Sequence, residues 1–119
     1  MIARVRYSVR PRIRVTGENG TIVFGPGKAD LLDAIAKSGS IRAAAEELEM
    51  SYMRAWSLVR VMNAAFRSPL VEKVRGGVAQ GGARLTARGD EVLRLYRAME
   101  KKAADAIGRE WQAMRRKLR

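Results

Sequence analysis

Residues 40–66 hold two helical patterns in immediate succession, with little chain between them to do anything but turn. "SIRAAAEELEM" opens on Ser40, a side chain suited to capping a helix, and Ile41, Ala44, Ala45 and Leu48 recur at spacings of three and four. "SYMRAWSLVRVMN" opens on Ser51, a second N-cap, and on a helical wheel Ala55, Leu58, Val59, Met62 and Phe66 gather on one side. About two residues, near Glu49 and Met50, separate the patterns. A break that short makes the second helix cross the first, and the alanines permit a close crossing. Met53, Ser57, Arg60 and Ala64 lie on the outer side, with Arg54 and Trp56 on the flanks. Two short helices, a tight turn and a cationic outer face define a helix-turn-helix expectation. An ordinary helical hairpin has the same spacing, so the flanking chain has to separate the two.

The stretch that follows favours the first reading. "PLVEKVRGGVAQGGARLT" places the apolar run Leu70 to Val74 before Gly76, Gly77, Gly81 and Gly82, and Ala83 to Thr86 after them. Two strand-like segments around a glycine-rich tip predict a β-hairpin whose stem carries Lys73, Arg75 and Arg84. Glycines let a backbone approach a phosphate ribbon closely, and the cations supply charge. A hairpin directly after a helix-turn-helix reads as a wing; a plain surface loop is the alternative.

Upstream, "RIRVTGENGTIVF" (residues 12–24) sets two β-branched runs around Asn19-Gly20, a hairpin signal because both residues tolerate positive φ. Arg12 and Arg14 alternate with Ile13 and Val15, which predicts one cationic and one apolar face. Pro26 suits a first helical turn. Leu31, Leu32, Ile35 and Ala36 continue that helix until Ser38-Gly39. From Thr86 onward the chain reads as one long helix, with Val92, Tyr96, Met99, Ala103, Ile107, Trp111, Met114 and Leu118 as its apolar stripe. A small winged domain cannot cover a stripe of that length. A homodimer pairing through Val92, Tyr96, Met99, Ala103, Ile107 and Trp111 is therefore expected. The expected fold is mainly α with small β elements. It divides into a basic N-terminal strand and hairpin at 1–25, a winged helix-turn-helix at 26–88 and a dimerisation helix with a basic tail at 89–119.

Composition removes several functions. The 119 residues contain no His and no Cys, hence no thiolate, no imidazole base and neither of the commonest transition-metal ligands. We expect no catalytic site, no metal and no cofactor. No apolar run approaches the ~20 residues of a membrane span, and "MIARVRYSVRPRIRV" lacks the apolar core of a secretory signal. A cytoplasmic protein without a membrane partner is expected. Net charge is +12, and it is unevenly placed: residues 1–27, 28–50, 51–89 and 90–119 carry +4, −2, +6 and +4. A polarised cation of this size expects a polyanion.

With these stretches in view, the chain resembles the DNA-binding half of the bacterial molybdate-responsive regulator family (ModE). More distantly it is similar to the LysR-type winged helix-turn-helix. The likeness rests on Gly39-Ser40-Ile41, Ala44-Ala45, Ser51-Tyr52, Ala55-Trp56 and Met62-Asn63, on the glycine wing, and on "LTARGDEVLRLY" after it. It spans roughly residues 26–105. The resemblance implies a sequence-specific regulator of transcription that binds double-stranded DNA as a homodimer. Full-length family regulators carry a molybdate-binding region further on. The chain ends at Arg119 with nothing of that size, so oxyanion sensing is not carried over.

The candidate DNA-binding residues are Ser51, Tyr52, Met53, Arg54, Ser57 and Arg60 on the recognition helix. On the wing they are Lys73, Arg75, Gly76, Gly77, Gly81, Gly82 and Arg84. Arg60 suits guanine edges and Arg54 a phosphate; Trp56 either seats the helix or touches sugar or base. A non-specific architectural protein binding DNA or RNA would use the same charge without base readout.

Overall fold

The computed structural model describes residues 5–74 and 82–119. A short antiparallel pair, β1 (Val15–Thr16) and β2 (Ile22–Phe24), precedes three helices: α1 (Pro26–Ser38), α2 (Ile41–Glu47) and α3 (Tyr52–Ala65). A second antiparallel pair, β3 (Val71–Lys73) and β4 (Ala83–Leu85), leads into α4 (Ala87–Ala106) and α5 (Gly108–Arg115).

Local chemistry explains where each helix starts and stops. Pro26 stands in the first turn of α1, and Gly39, at φ +73°, ends it with an N–H donated to the Ile35 carbonyl at 2.8 Å. Ser40 caps α2 by accepting the Ala43 N–H at 3.0 Å, and Ser51 caps α3 by accepting the Arg54 N–H at 3.1 Å. The turn between these helices, residues 48–51, is a Schellman closure: Met50 N–H reaches the Ala45 carbonyl and Glu49 N–H the Glu46 carbonyl. Glu49 takes the left-handed position at φ +56° where glycine is usual, a local cost of about 1 kcal/mol.

The core collects Phe24, Leu31, Leu32, Ile35, Val59, Met62 and Leu70, with the buried alanines 44, 45 and 55 where the helices cross. Ala36, expected on the buried face of α1, is exposed, while Ala29 and Ala34 are buried in its stead. The first hairpin contributes mainly Phe24, whose ring meets Phe66 edge-on at 6.0 Å and Tyr96 at 5.0 Å. Its strands are shorter than the pattern suggested. Residues 5–14 form no ladder, and Val15 and Ile22 stay exposed, so Ile13 and Phe24 do the packing.

Downstream, the long helix is two. Ile107 closes α4 by donating to Ala103 at 3.2 Å, and Trp111 donates to Ile107 at 2.9 Å as α5 begins. Gly108 sits at the break, in keeping with its poor helix propensity.

Leu70 joins the second hairpin to the helices through its backbone as well as its side chain. Thr86 N–H donates to the Leu70 carbonyl at 2.9 Å, while Thr86 Oγ1 donates to Pro69 O at 2.6 Å and accepts the Gly89 N–H at 3.0 Å. A Cβ at Gly89 would stand 2.1 Å from the Leu70 oxygen, so α4 enters along a path that only glycine clears. Gly89→Ala is expected to destabilise the domain by about 2–3 kcal/mol or more, since backbone rather than a flexible side chain must yield. A urea melt compared with wild type measures it.

Candidate nucleic-acid interface

α3 presents its N-terminal half to solvent. Ser51, Tyr52, Met53, Arg54, Ser57 and Arg60 are all exposed, whereas Ala55, Val59 and Met62 are buried behind them. The split follows from the sequence: the apolar residues at 55, 59 and 62 fall on one face, and the residues between them point out. Met53, at 70% exposure, is a bare apolar contact on an otherwise polar face, suited to a thymine methyl group.

Two cation–aromatic pairs fix the rim of this face. The Arg42 guanidinium lies 4.6 Å from the Tyr52 ring centre, tying the first turn of α2 to that of α3. Lys73 Nζ lies 5.0 Å from the centre of Trp56, tying strand β3 to α3. Trp56 is half-buried and packs on the core, which favours its seating role. Arg42 was not among the expected residues. Its place two residues after the Ser40 cap, level with the start of the next helix, was the available signal.

The hairpin has the expected register, with Val71 opposite Leu85, Glu72 opposite Arg84 and Lys73 opposite Ala83. Val74 N–H donates to the Gly82 carbonyl at 2.9 Å, and Ser40 bridges to Gly82, while Ala83 N–H reaches the Gly39 carbonyl at 2.9 Å. The stem thus hangs on the α1–α2 turn. Arg84 is already paired: its Nε donates to Glu72 at 2.8 Å. That pair is solvent-exposed and weak, so it can open toward a stronger anion. Arg75, Gly76, Gly77 and Gly81 lie outside the described residues.

Asn63 is the residue that sequence reasoning undervalued. Its Oδ1 accepts the N–H groups of Leu70 at 2.8 Å and Val71 at 3.2 Å, and its Nδ2 donates to the Val71 carbonyl at 3.1 Å. One amide thus splices the end of α3 to the first wing strand.

The expected dimer residues divide. Tyr96 is buried at 2% exposure, donating its hydroxyl to the Ile13 carbonyl at 2.7 Å, and Val92 packs on the same core. Both are spent inside the chain because α4 lies across the first hairpin, which corrects their assignment to a partner surface. Ala103 and Trp111 are half-buried. Leu95, Met99, Ile107, Met114 and Leu118 remain exposed along α4, α5 and the tail.

Among the described residues no group of three or more acids could hold a metal ion, and no helix is long and apolar enough to cross a membrane.

Tight turn, exposed second helix and antiparallel hairpin together make a winged helix-turn-helix domain. The chain belongs to the bacterial regulatory helix-turn-helix protein, lysR family, whose description matches residues 28–90, more than half of its length. It is 43% identical over 77 residues to the molybdenum-pterin-binding protein MopB of Rhodobacter capsulatus, covering 65% of this chain and 28% of that protein. It is 38% identical over 85 residues to the DNA-binding transcriptional dual regulator ModE of Escherichia coli, covering 69% of this chain and 32% of the regulator. The chain therefore spans about a third of the length of these relatives. In fold it matches the DNA-binding domain in a CbnR–DNA complex, with a TM-score of 0.59 at 24% identity over 74% of this chain and 95% of that one. It also matches ArgP of Mycobacterium tuberculosis, with a TM-score of 0.52 at 26% identity over 74% of this chain and 31% of that one.

Replacing Asn63 with Leu leaves two backbone N–H groups and a carbonyl without partners. The loss is expected to be about 2–4 kcal/mol in stability, with amide hydrogen exchange at Leu70 and Val71 accelerated beyond that of the α1 core.

Proposed function

We propose that the chain is a sequence-specific DNA-binding regulator of transcription that acts as a homodimer. The observation that carries the reading is the outer face of α3. Arg54, Ser57 and Arg60 are exposed there with no acid on the helix, and a wing stem is fastened beside them through Asn63 and Lys73. The N-terminal half of α3 enters the major groove, Arg60 reads a guanine edge, and Arg54 with the Ser51-capped N–H groups holds a phosphate. Lys73 and Arg84 follow the backbone from the wing stem, as do Arg75 and the tip glycines.

Two copies join through the apolar strip of Leu95, Met99, Ile107 and Met114. The recognition helices then present themselves to half-sites about one helical turn apart or a multiple of it. Residues 89–119 serve as the dimerisation unit and 26–88 as the reading unit. The names of the relatives support DNA-linked regulation. Molybdate is not assigned to this chain, because the matched region is about a third of those proteins.

Arg60→Ala is expected to lower affinity for a selected site by about 1–3 kcal/mol and to erase preference at one base pair, as read by competition between the selected duplex and its single-base variants. Unaltered discrimination would remove Arg60 from the reading face. If cognate and scrambled duplexes compete equally with the wild-type protein, the non-specific architectural reading takes over. Met99→Glu combined with Ile107→Glu is expected to give monomers in light scattering; a persisting dimer would place the interface elsewhere.

A further inference from the structure

The Arg-rich first hairpin has no role in the account so far beyond Phe24 and Ile13. Its cations are nevertheless positioned. The aliphatic stem of Arg14 lies over Gly25, its Cγ 3.6 Å from where a Cβ would stand on that residue. Lys28, less than one turn into α1, donates its ammonium to the Ile22 carbonyl at 3.1 Å, so it is held against β2 rather than swinging free. From there it feels Arg54 at the start of the recognition helix. Burial first, and the charge of Arg54 second, hold the Lys28 pKa below the usual lysine value.

Among the described residues, none of Arg14, Lys28 and Arg54 takes part in an ion pair. Neither α1 nor α3 carries an acid in its first turn, and α1 has no side-chain cap. Three cations and two helix N-termini therefore converge without an anion of the protein's own. Packing like charges together costs free energy in the isolated molecule, and a phosphate placed among them recovers it.

We propose that Arg14 and Lys28, with Arg54, form a ledge that grips the DNA sugar-phosphate backbone flanking the recognition helix. The first hairpin is thereby a second, sequence-independent clamp, opposite in chain order to the wing. The proposal rests on the DNA-binding reading and adds to it a contact that sets affinity and salt dependence rather than specificity. Arg10 and Arg12, exposed on the same stretch, extend the ledge along the strand.

The test uses the full chain and fluorescence anisotropy on cognate and scrambled duplexes between ~50 and ~200 mM salt. The double variant Arg14→Gln, Lys28→Gln is compared with Lys101→Gln, Lys102→Gln, which removes the same charge from α4. The ledge variant is expected to lower the slope of log affinity against log salt by about two, near 0.9 for each phosphate released. Affinity for both duplexes should fall by the same factor, so that their ratio is kept. The α4 variant should move the slope much less, and Lys28→Arg alone should preserve it. Far-UV circular dichroism and the melting temperature check that the hairpin remains folded. In addition, the Lys28 ammonium, followed by its side-chain carbon shift against pH, should titrate higher with DNA bound than without.

An unchanged slope in the ledge variant, an equal fall in both variants, or a Lys28 titration indifferent to DNA each overturns the proposal. A wild-type protein that binds both duplexes equally would sink the sequence-reading proposal alone, because the slopes still decide the ledge. A wild-type protein that binds neither duplex would sink both.

Discussion

Leu70 is the point on which the domain is assembled. Its side chain is fully buried, its N–H is held by Asn63 from α3, and its carbonyl is held by Thr86 at the start of α4. Gly89 closes over that same carbonyl with no room for another atom. Recognition helix, wing and C-terminal helix thus share one residue as their common support. A backbone group bonded on both sides in a dry setting costs far more to release than a surface contact. The wing stem is consequently a rigid extension of α3, and Ala83 to Gly39 ties its other strand to the α1–α2 turn.

Electrostatics divide the molecule on the same plan. Arg97 on α4 engages Asp30 at 3.0 Å, Asp33 at 3.8 Å and Glu100 at 2.9 Å, so the acids of α1 are used in the seam with α4. Exposed pairs of this kind add little stability individually. Their larger effect is to keep negative charge occupied along that seam, leaving the first turns of α1 and α3 uniformly positive. The chain's excess of cations is therefore local, and a polyanion approaching it meets an oriented field.

Most of this architecture could be read from residues alone because its signals are short-range. Ser40 and Ser51 cap the helices they precede, Gly39 ends α1, and alternation in 70–86 announces the hairpin. What escaped was set by contacts distant in sequence. Tyr96 and Val92 belong to the apolar stripe of α4, and nothing in that periodicity says that Phe24 and Ile13 will cover them from the other end of the chain. Asn63 looked like the end of a motif, since its partners lie seven and eight residues on, across a turn. The split at Ile107 was foreshadowed by Gly108, but propensity alone does not locate a break. Lys28 carried no signal at all in the sequence; only the return of β2 beside α1 gives it neighbours.

The stacking of Lys73 on Trp56 has a spectroscopic corollary. The protein has two tryptophans, and the other, Trp111, sits on α5 well outside the winged unit. An indole beneath an ammonium emits at a wavelength and intensity that depend on where that charge sits. Once Trp111 is replaced by Phe, the remaining emission reports the separation of wing strand and recognition helix directly. The domain then carries a built-in, label-free gauge of its own posture, readable in a cuvette before and after any nucleic acid is added.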